Sequence, residues 1–444
     1  MRIAVIGAGI TGLGAAWLLS GRHEVTLFEK EPRLGGHSHT VDVSSGGLNV
    51  PVDTGFIVYN LAAYPNLIAL FDHLDVPTAP TSMGFSVSLD GGRYEYSGNG
   101  LSGLFGQWSN VANPLHWRMA SDIFRFFREA RALGMSETEA SVSLGGWLRE
   151  RRYSDVFIRR HILPMGAAIW STPAADILSF PAASFARFFA NHGLLQATGQ
   201  PPWRTVRGGS REYVARLMSK FRGRIVSGDP VVAVSRSNES VLVSTADGQS
   251  LAFDRCLFAC HADEALRLLS DADALERSLL APFRYVANET ILHRDVSHMP
   301  KRRRLWTSWN YLGQSNRDAA LSVTYWMNSL QPLATAENVF VTLNPSKPVA
   351  ADKVVAKFHY SHPLFDKGAV NAQEQLWQIQ GRRRTWYAGS YFGYGFHEDG
   401  LQAGLHAAEM MGDVARPWRL SNPSDRLKLG PGPNVPEVPI ASAE

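Results

Sequence analysis

Ile6-Gly7-Ala8-Gly9-Ile10-Thr11-Gly12 stands near the start of a 444-residue chain, and its reading decides the fold. The apolar run before it, 3–6, reads as a short buried strand. The Ala- and Leu-rich run 11–20 reads as a helix, and EVTLFE, 24–29, as a second strand. Strand, glycine turn, helix and strand make a βαβ unit, so a parallel sheet with helices on its faces is expected. G-x-G-x-x-G at this junction has a physical reason. Gly7 permits the tight turn, Gly9 lets the backbone approach a pyrophosphate, and Gly12 lets helix and strand pack closely, with Ala16 small on the same face. Ile10 and Thr11 open the helix, whose free N–H groups and positive dipole end attract phosphate. Glu29 ends the second strand 22 residues after Gly7, placed to accept hydrogen bonds from a ribose diol. Its carboxylate would repel a 2′-phosphate, which disfavours NADP and leaves NAD or FAD.

Segments further along separate these two. Lys30-Glu31-Pro32-Arg33-Leu34-Gly35-Gly36-His37 resembles the R-x-G-G segment of the flavin-containing amine oxidoreductase superfamily. That group includes monoamine oxidases, protoporphyrinogen oxidase and phytoene-desaturase-like enzymes. There the double glycine lets backbone amides reach the FAD diphosphate. Val52-Asp53-Thr54-Gly55-Phe56 resembles the D-x-G element that lies along the flavin, and Pro230-Val231-Val232-Ala233-Val234 resembles a strand whose first Val touches the adenine. Ala388-Gly389-Ser390-Tyr391 and Gly395-Phe396-His397-Glu398-Asp399-Gly400 resemble the flavin-closing segment. In relatives the start of a last helix there points at the pyrimidine ring and stabilises negative charge on the reduced flavin.

The resemblance therefore implies FAD, bound by the fingerprint residues, by Glu29, Lys30, Arg33, Gly35, Gly36 and His37, by the 53–56 element, by Val231, and by Gly389, Ser390, Phe396 and His397. No Cys lies near the last segment, so a noncovalent flavin is expected. His37 stands where many relatives have Arg, and Ser390 where an acidic residue often sits. No position aligns with the flavin-facing Lys of amine oxidases, which counts against amine oxidation. G-F-H-E-D-G is similar to a bacterial branch associated with cyclopropane-fatty-acid-synthase-like methyltransferases, some of whose members look like desaturases of methylated fatty acyl chains. The implied activity is oxidation of a C–H bond in a hydrophobic or lipid substrate by hydride transfer to flavin N5. A lipid methyltransferase partner goes with it. Amine oxidase, redox-neutral isomerase of lipid double bonds and non-catalytic flavoprotein partner stay open as alternatives.

Flavin oxidation needs little acid–base machinery from the protein. His359, Tyr360 and His362 in FHYSHP are the candidates for a base or orienting group, on alternate faces of one strand. Histidines satisfied at an interface are the competing reading. His397 is expected to touch the cofactor through its backbone, while Glu398 and Asp399 read as caps of the last helix. Trp306, Trp309, Asn310 and Tyr311, with Tyr59 and Asn60, read as core or as an aromatic pocket wall. Cys256 and Cys260 read as core residues of one buried strand.

The rest of the chain points to an α/β fold: a Rossmann-like FAD-binding domain with a discontinuous substrate domain of sheet plus helices. Residues 1–60, 205–275 and 380–415 are assigned to the FAD domain, 61–204 and 276–379 to the substrate domain, and 421–444 to an irregular proline-rich tail. Spacing of Leu67, Leu70, Phe71 and Leu74, and of Ile123, Phe124 and Phe127, makes the 62–204 region read as helical. From 224 the period changes to two, and strands are expected. An aromatic content of 11% excludes disorder for the bulk of the chain. A net charge of +4 is too weak for a dedicated nucleic-acid binder. Two cysteines cannot make a disulfide framework or a four-ligand zinc site, so no metal and a reducing, cytoplasmic setting are expected. The first twenty residues look superficially like a signal peptide, but glycines at fold-making spacing argue against cleavage. No further apolar run is long enough to span a membrane. Basic runs at 149–152, 301–304 and 382–384 read as solvated faces or as peripheral contacts with an anionic inner membrane surface.

Overall fold

The computed structural model describes residues 1–134, 142–170, 174–196, 199, 201–315 and 322–430. The opening strand β1 (Arg2–Ile6), helix α1 (Ile10–Ser20) and strand β2 (Glu24–Glu29) form as the pattern requires. They seed a five-stranded parallel sheet in the order Arg224–Ser227, β2, β1, Arg255–Phe258, Thr385–Tyr387. Register aligns the carboxyl ends: Ile6 lies beside Phe28 and Phe258, and Phe258 beside Tyr387. Gly7, Glu29, Ala259 and Ala388 therefore emerge along one crevice, where open α/β sheets bind ligands.

The last helix, His397–Gly412, packs against α1. Small residues make that approach possible, since a side chain at Gly404 would collide with the Thr11 carbonyl and one at Gly14 with Leu401. The segment 421–430 has no helix or strand, yet it docks on the same layer. There Leu427 is buried and Arg426 donates to Asp399 at 2.9 Å. The remaining tail, 431–444, lies outside the described residues.

A seven-stranded mixed sheet forms the second layer, in the order Val354–Leu364, Arg284–His293, Phe340–Leu343, Ser322–Trp326, Trp309–Gly313, Phe85–Leu89, Tyr94–Ser97. Helices Pro114–Gly134, Leu144–Glu150, Leu163–Trp170 and Ala182–Asn191 share one apolar core with its far end. The 62–204 region is thus not wholly helical, contrary to the spacing argument. It contributes Thr78–Thr81, Phe85–Leu89, Tyr94–Ser97 and Trp203–Val206 as strands. Phe85-Ser-Val-Ser-Leu alternates apolar and polar and ends at the Asp90-Gly91-Gly92 turn, a local strand signal lying beside stronger helical ones.

The cysteines also separate. Cys256 is buried in the sheet, whereas Cys260 follows the strand's end at Phe258 and is half-buried at the crevice. Among the described residues no helix is long and apolar enough to cross a membrane.

Candidate functional site

One cavity of about 1230 Å³ runs from the crevice of the parallel sheet to the helices over the mixed sheet. Ligand pockets usually hold roughly 300–1,000 Å³, so this volume suits two ligands end to end better than one. The two ends differ in construction.

The nucleotide end is built from backbone. Gly7 (φ +104°) makes the turn out of β1, and the space where a Gly9 side chain would stand is open. No side chain caps the start of α1, so its first-turn N–H groups face the cavity. Gly12 lies behind them, pressed against the Gly7 carbonyl. Glu29 is fixed from both oxygens, Oε2 accepting from Ala8 N at 2.7 Å and Oε1 from Glu31 N at 3.0 Å. Gly36 (φ +56°) lies so close to Gly9 that its Cβ would sit 3.0 Å from the Gly9 Cα. Arg33 holds this loop by donating to the carbonyls of Leu34, Gly36 and Ser38. Lys30 is tied to Glu264 at 2.6 Å. Val231, Gly389 and Ser390 complete the wall. This cradle fits a dinucleotide cofactor: open space over Gly9, an uncapped helix start, and a buried His37 Nε2 with no partner.

Most of the expected binding residues line this cavity, but Gly12, Gly35 and Asp53 do not. Gly35 donates its N–H to the Ala8 carbonyl at 2.8 Å and shapes the loop from behind. Asp53 is buried in a private network. It accepts from Thr40 Oγ1, Ser210 N and Oγ, and Gln331 Nε2, and burial raises its carboxyl to about 6. Its role is to hold the 53–56 element in place rather than to touch a ligand.

At the junction of the two ends, FHYSHP lies on the edge strand Val354–Leu364. His359 is on the strand's exposed face and also lines the cavity, while Tyr360 and His362 point inward against His37, with ring centroids 5.2 and 5.3 Å away. The Tyr360 hydroxyl bonds with Thr54 Oγ1 (2.7 Å) and His39 Nδ1 (2.8 Å). A chain of fixed donors decides the tautomer of His362. Glu289 N donates to Asn344 Oδ1, Asn344 Nδ2 to Asn288 Oδ1, and Asn288 Nδ2 to His362 Nδ1 at 3.0 Å. Burial lowers His362 to about 4, so it is neutral and carries its proton on Nε2. His362 is therefore a hydrogen-bond donor at neutral pH, not the base that the sequence allowed.

His397 begins the last helix. Its ring stacks on Phe56 at 3.8 Å, and Nε2 bonds with Ser38 Oγ (2.9 Å) and Tyr213 OH (3.2 Å). The ring thus anchors the helix start and leaves the backbone to face the cavity. Asp399 accepts from Phe396 N at 2.8 Å, as a cap should. Glu398 caps a different helix, Pro65–His73, accepting from Asn66 N and Leu67 N at 2.9 Å each.

The far arm is built from side chains. Phe85, Phe124, Phe127, Ile169, Trp170 and Phe188 are among its walls, with Leu101, Trp309 and Phe396. Of WTSWNY only Trp309 reaches the cavity. Asn310, Tyr311, Tyr59 and Asn60 are buried framework, and Trp306 donates to the Pro300 carbonyl. Among the described residues, every Asp, Glu, Lys and Arg that lines the cavity belongs to the nucleotide end: Glu29, Lys30, Glu31, Arg33, Glu264 and Arg267. His39, Cys260, His261 and the aromatic arm, Trp309 and Phe396 excepted, were missed from the sequence. His39 had a signal, two residues after His37 on the way into the strand Thr40–Ser45; the rest of the arm had none, since its residues come from distant segments.

The family model for flavin containing amine oxidoreductases matches residues 10–291. Among solved structures, the chain is similar to a fatty acid isomerase from P. acnes that produces CLA, at 15% identity and TM-score 0.65, covering 93% of this chain and 98% of that one. It is similar to putrescine oxidase bound to putrescine, at 14% identity and TM-score 0.65 over 93% and 99% of the two chains. It is also similar to cyclohexylamine oxidase from Brevibacterium oxydans IH-35A, at 14% identity and TM-score 0.65 over 93% and 98%. These likenesses show the fold. No curated protein sequence matches the chain.

Proposed function

The chain belongs to the flavin containing amine oxidoreductase family and is an FAD-dependent oxidoreductase; from that premise we propose that it oxidises a C–H bond in a long apolar chain, with fatty acyl groups the first candidates. One observation carries this reading: the arm beyond the junction holds no carboxylate, ammonium or guanidinium among the described lining residues. A protonated amine or diamine placed there would lose its water without gaining a counter-charge, a cost of several kcal/mol. A hydrocarbon chain loses nothing and buries its surface.

Bound FAD supplies the acceptor for a hydride. The protein's contribution is placement. Glu29 would take the ribose diol and the start of α1 the diphosphate, while the start of the last helix would offer its N–H groups to the flavin edge. No Cys lies on the 388–400 segment, which suits noncovalent binding. Neutral His362 Nε2–H presents a donor at the junction, while the single O–H of Tyr360 is spent on Thr54 and braces the 53–56 element. The aromatic arm excludes water and holds the chain extended.

The test is anaerobic reduction of the bound flavin by fatty acids, phospholipid extracts with and without methylated acyl chains, and a panel of amines. Bleaching by the lipid substrates alone is expected. Bleaching by amines alone would overturn the substrate class. Conversion of a lipid double bond with no electron acceptor consumed would replace oxidation by isomerisation, the activity named for one of the similar structures.

A further inference from the structure

We propose that the face formed by the helix Gly100–Leu104, the turn Trp108–Asn110 and the first half of the helix Pro114–Gly134 docks on an anionic phospholipid bilayer and opens the cavity to it. Trp108 is 77% exposed, Leu101 68% and Trp117 52%, with Val111, Leu115 and Phe124 also exposed. They form one surface rather than scattered sites. Trp117 Nε1 donates to the Val111 carbonyl at 2.8 Å, and its ring lies 4.5 Å from that of Phe105. A monomer rarely leaves so many large apolar groups together in water unless the patch binds something.

Two features select a bilayer as the occupant. The first is charge. Between 91 and 128 every exposed charged residue is an arginine: Arg93, Arg118 and Arg128. The acids of that stretch, Glu95 and Asp122, are buried, with Arg302 on the first and Arg118 and Arg125 on the second. Arg304 lies 5.7 Å over the Trp108 ring, adding a cation at the edge of the patch beside exposed Lys301. Indoles ringed by arginines suit the interface of an anionic leaflet, where aromatic rings sit at headgroup level and each cation adds attraction. The second is continuity with the site. Leu101 and Phe124 are exposed and also line the cavity, so the arm ends on this face. A chain drawn from the bilayer could enter without crossing water. That route rests on the proposed function; the docking surface does not.

The experiment is co-sedimentation of the full FAD-loaded chain with vesicles of phosphatidylcholine alone and of phosphatidylcholine with phosphatidylglycerol. Binding to the anionic vesicles is expected, weakened by added salt. Trp108→Ser with Trp117→Ser should lower partitioning about tenfold, because membrane affinity follows buried apolar area. Arg118→Gln should lower it about fivefold on anionic vesicles and leave binding to neutral ones unchanged. Flavin absorbance and circular dichroism confirm that each variant is folded. Equal sedimentation with and without vesicles, or undiminished binding by the double tryptophan variant, would overturn the proposal. So would sedimentation velocity showing a dimer that the same two substitutions dissociate, since the face would then meet a second copy. Flavin reduction plays no part in these readouts, so they stand whatever the substrate proves to be.

Discussion

The two ends of the cavity solve binding in opposite ways. At the nucleotide end the contact surface is main chain, and side chains matter mostly by being absent or by holding loops from behind. In the far arm most of the surface is a set of aromatic and aliphatic side chains from separate elements. A backbone site is fixed by a few local positions and tolerates little change there. A side-chain site is spread over the fold, and each member contributes a small share. The difference predicts a graded series of mutational effects.

Gly12→Val should have the largest effect. A Cβ at this position collides with the Gly7 carbonyl, which is backbone and cannot move without opening the turn. A cost above about 3 kcal/mol is expected, so no flavin should copurify and the thermal midpoint should fall sharply. Retention of bound FAD with only a small change in midpoint would break the comparison at its strongest point.

The junction between the ends sets a pH dependence. Burial lowers His362 to about 4 and His397 to about 3. An unfolded histidine titrates near 6.5. As pH falls below that value the unfolded chain takes up protons that the folded chain refuses. Stability from these groups is therefore full above pH 6.5 and lost on the way down to about 4, by a few kcal/mol for each buried imidazole. His37, His161, His192 and His293 are depressed in the same direction. Asp53 and Glu398 act oppositely, because burial raises both carboxyls, but they are outnumbered. Thermal midpoints measured from pH 8 to 4 should decline below pH 6.5, and His397→Asn should flatten the decline. A flat profile would mean that these imidazoles are not sealed from water.

Glu29→Gln sharpens the nucleotide end alone. The carboxylate is held by the N–H groups of Ala8 and Glu31 and lines the cavity, where a bound ribose diol would donate to its remaining lone pairs. Losing the charge weakens hydrogen bonds worth roughly 1.5–3 kcal/mol to a charged group. FAD affinity, measured by flavin fluorescence titration, should fall about 10- to 100-fold, with reduction of the remaining holoenzyme by substrate little altered.

This division also explains what the sequence disclosed. The βαβ unit was legible because glycines at 7, 9 and 12 and an acid at 29 are local constraints of geometry, and the matching structural elements lie within a residue of where the pattern put them. Gly389 to His397 was legible through resemblance to a family segment. Asp53 was misplaced because a motif position does not say whether a carboxylate faces the ligand or the Ser210 loop. His362 looked like a base because its tautomer depends on Asn288 and Asn344, which no spacing links to it. Most of the arm was invisible: Phe85, Phe127 and Phe188 each alone read as core, and they meet Trp309, which the sequence offered as core or pocket wall, only when two strands and two helices have been placed.

The smallest effect should come from a single wall of the arm. Phe127 is half-buried, lines the cavity and meets Phe124 at 6.2 Å between ring centroids. In Phe127→Ala the ring's share of apolar contact with a bound chain is lost, on the order of 1–1.5 kcal/mol for the part that faces substrate. That predicts about a fivefold to tenfold rise in KM for a long acyl substrate, with FAD affinity unchanged. A short substrate that does not reach Phe127 should show no change, because only a chain that fills the arm feels its walls. If long and short chains respond alike, the arm does not measure chain length. An equal loss of FAD would mean that the two ends are one mechanical unit rather than two sites of different construction.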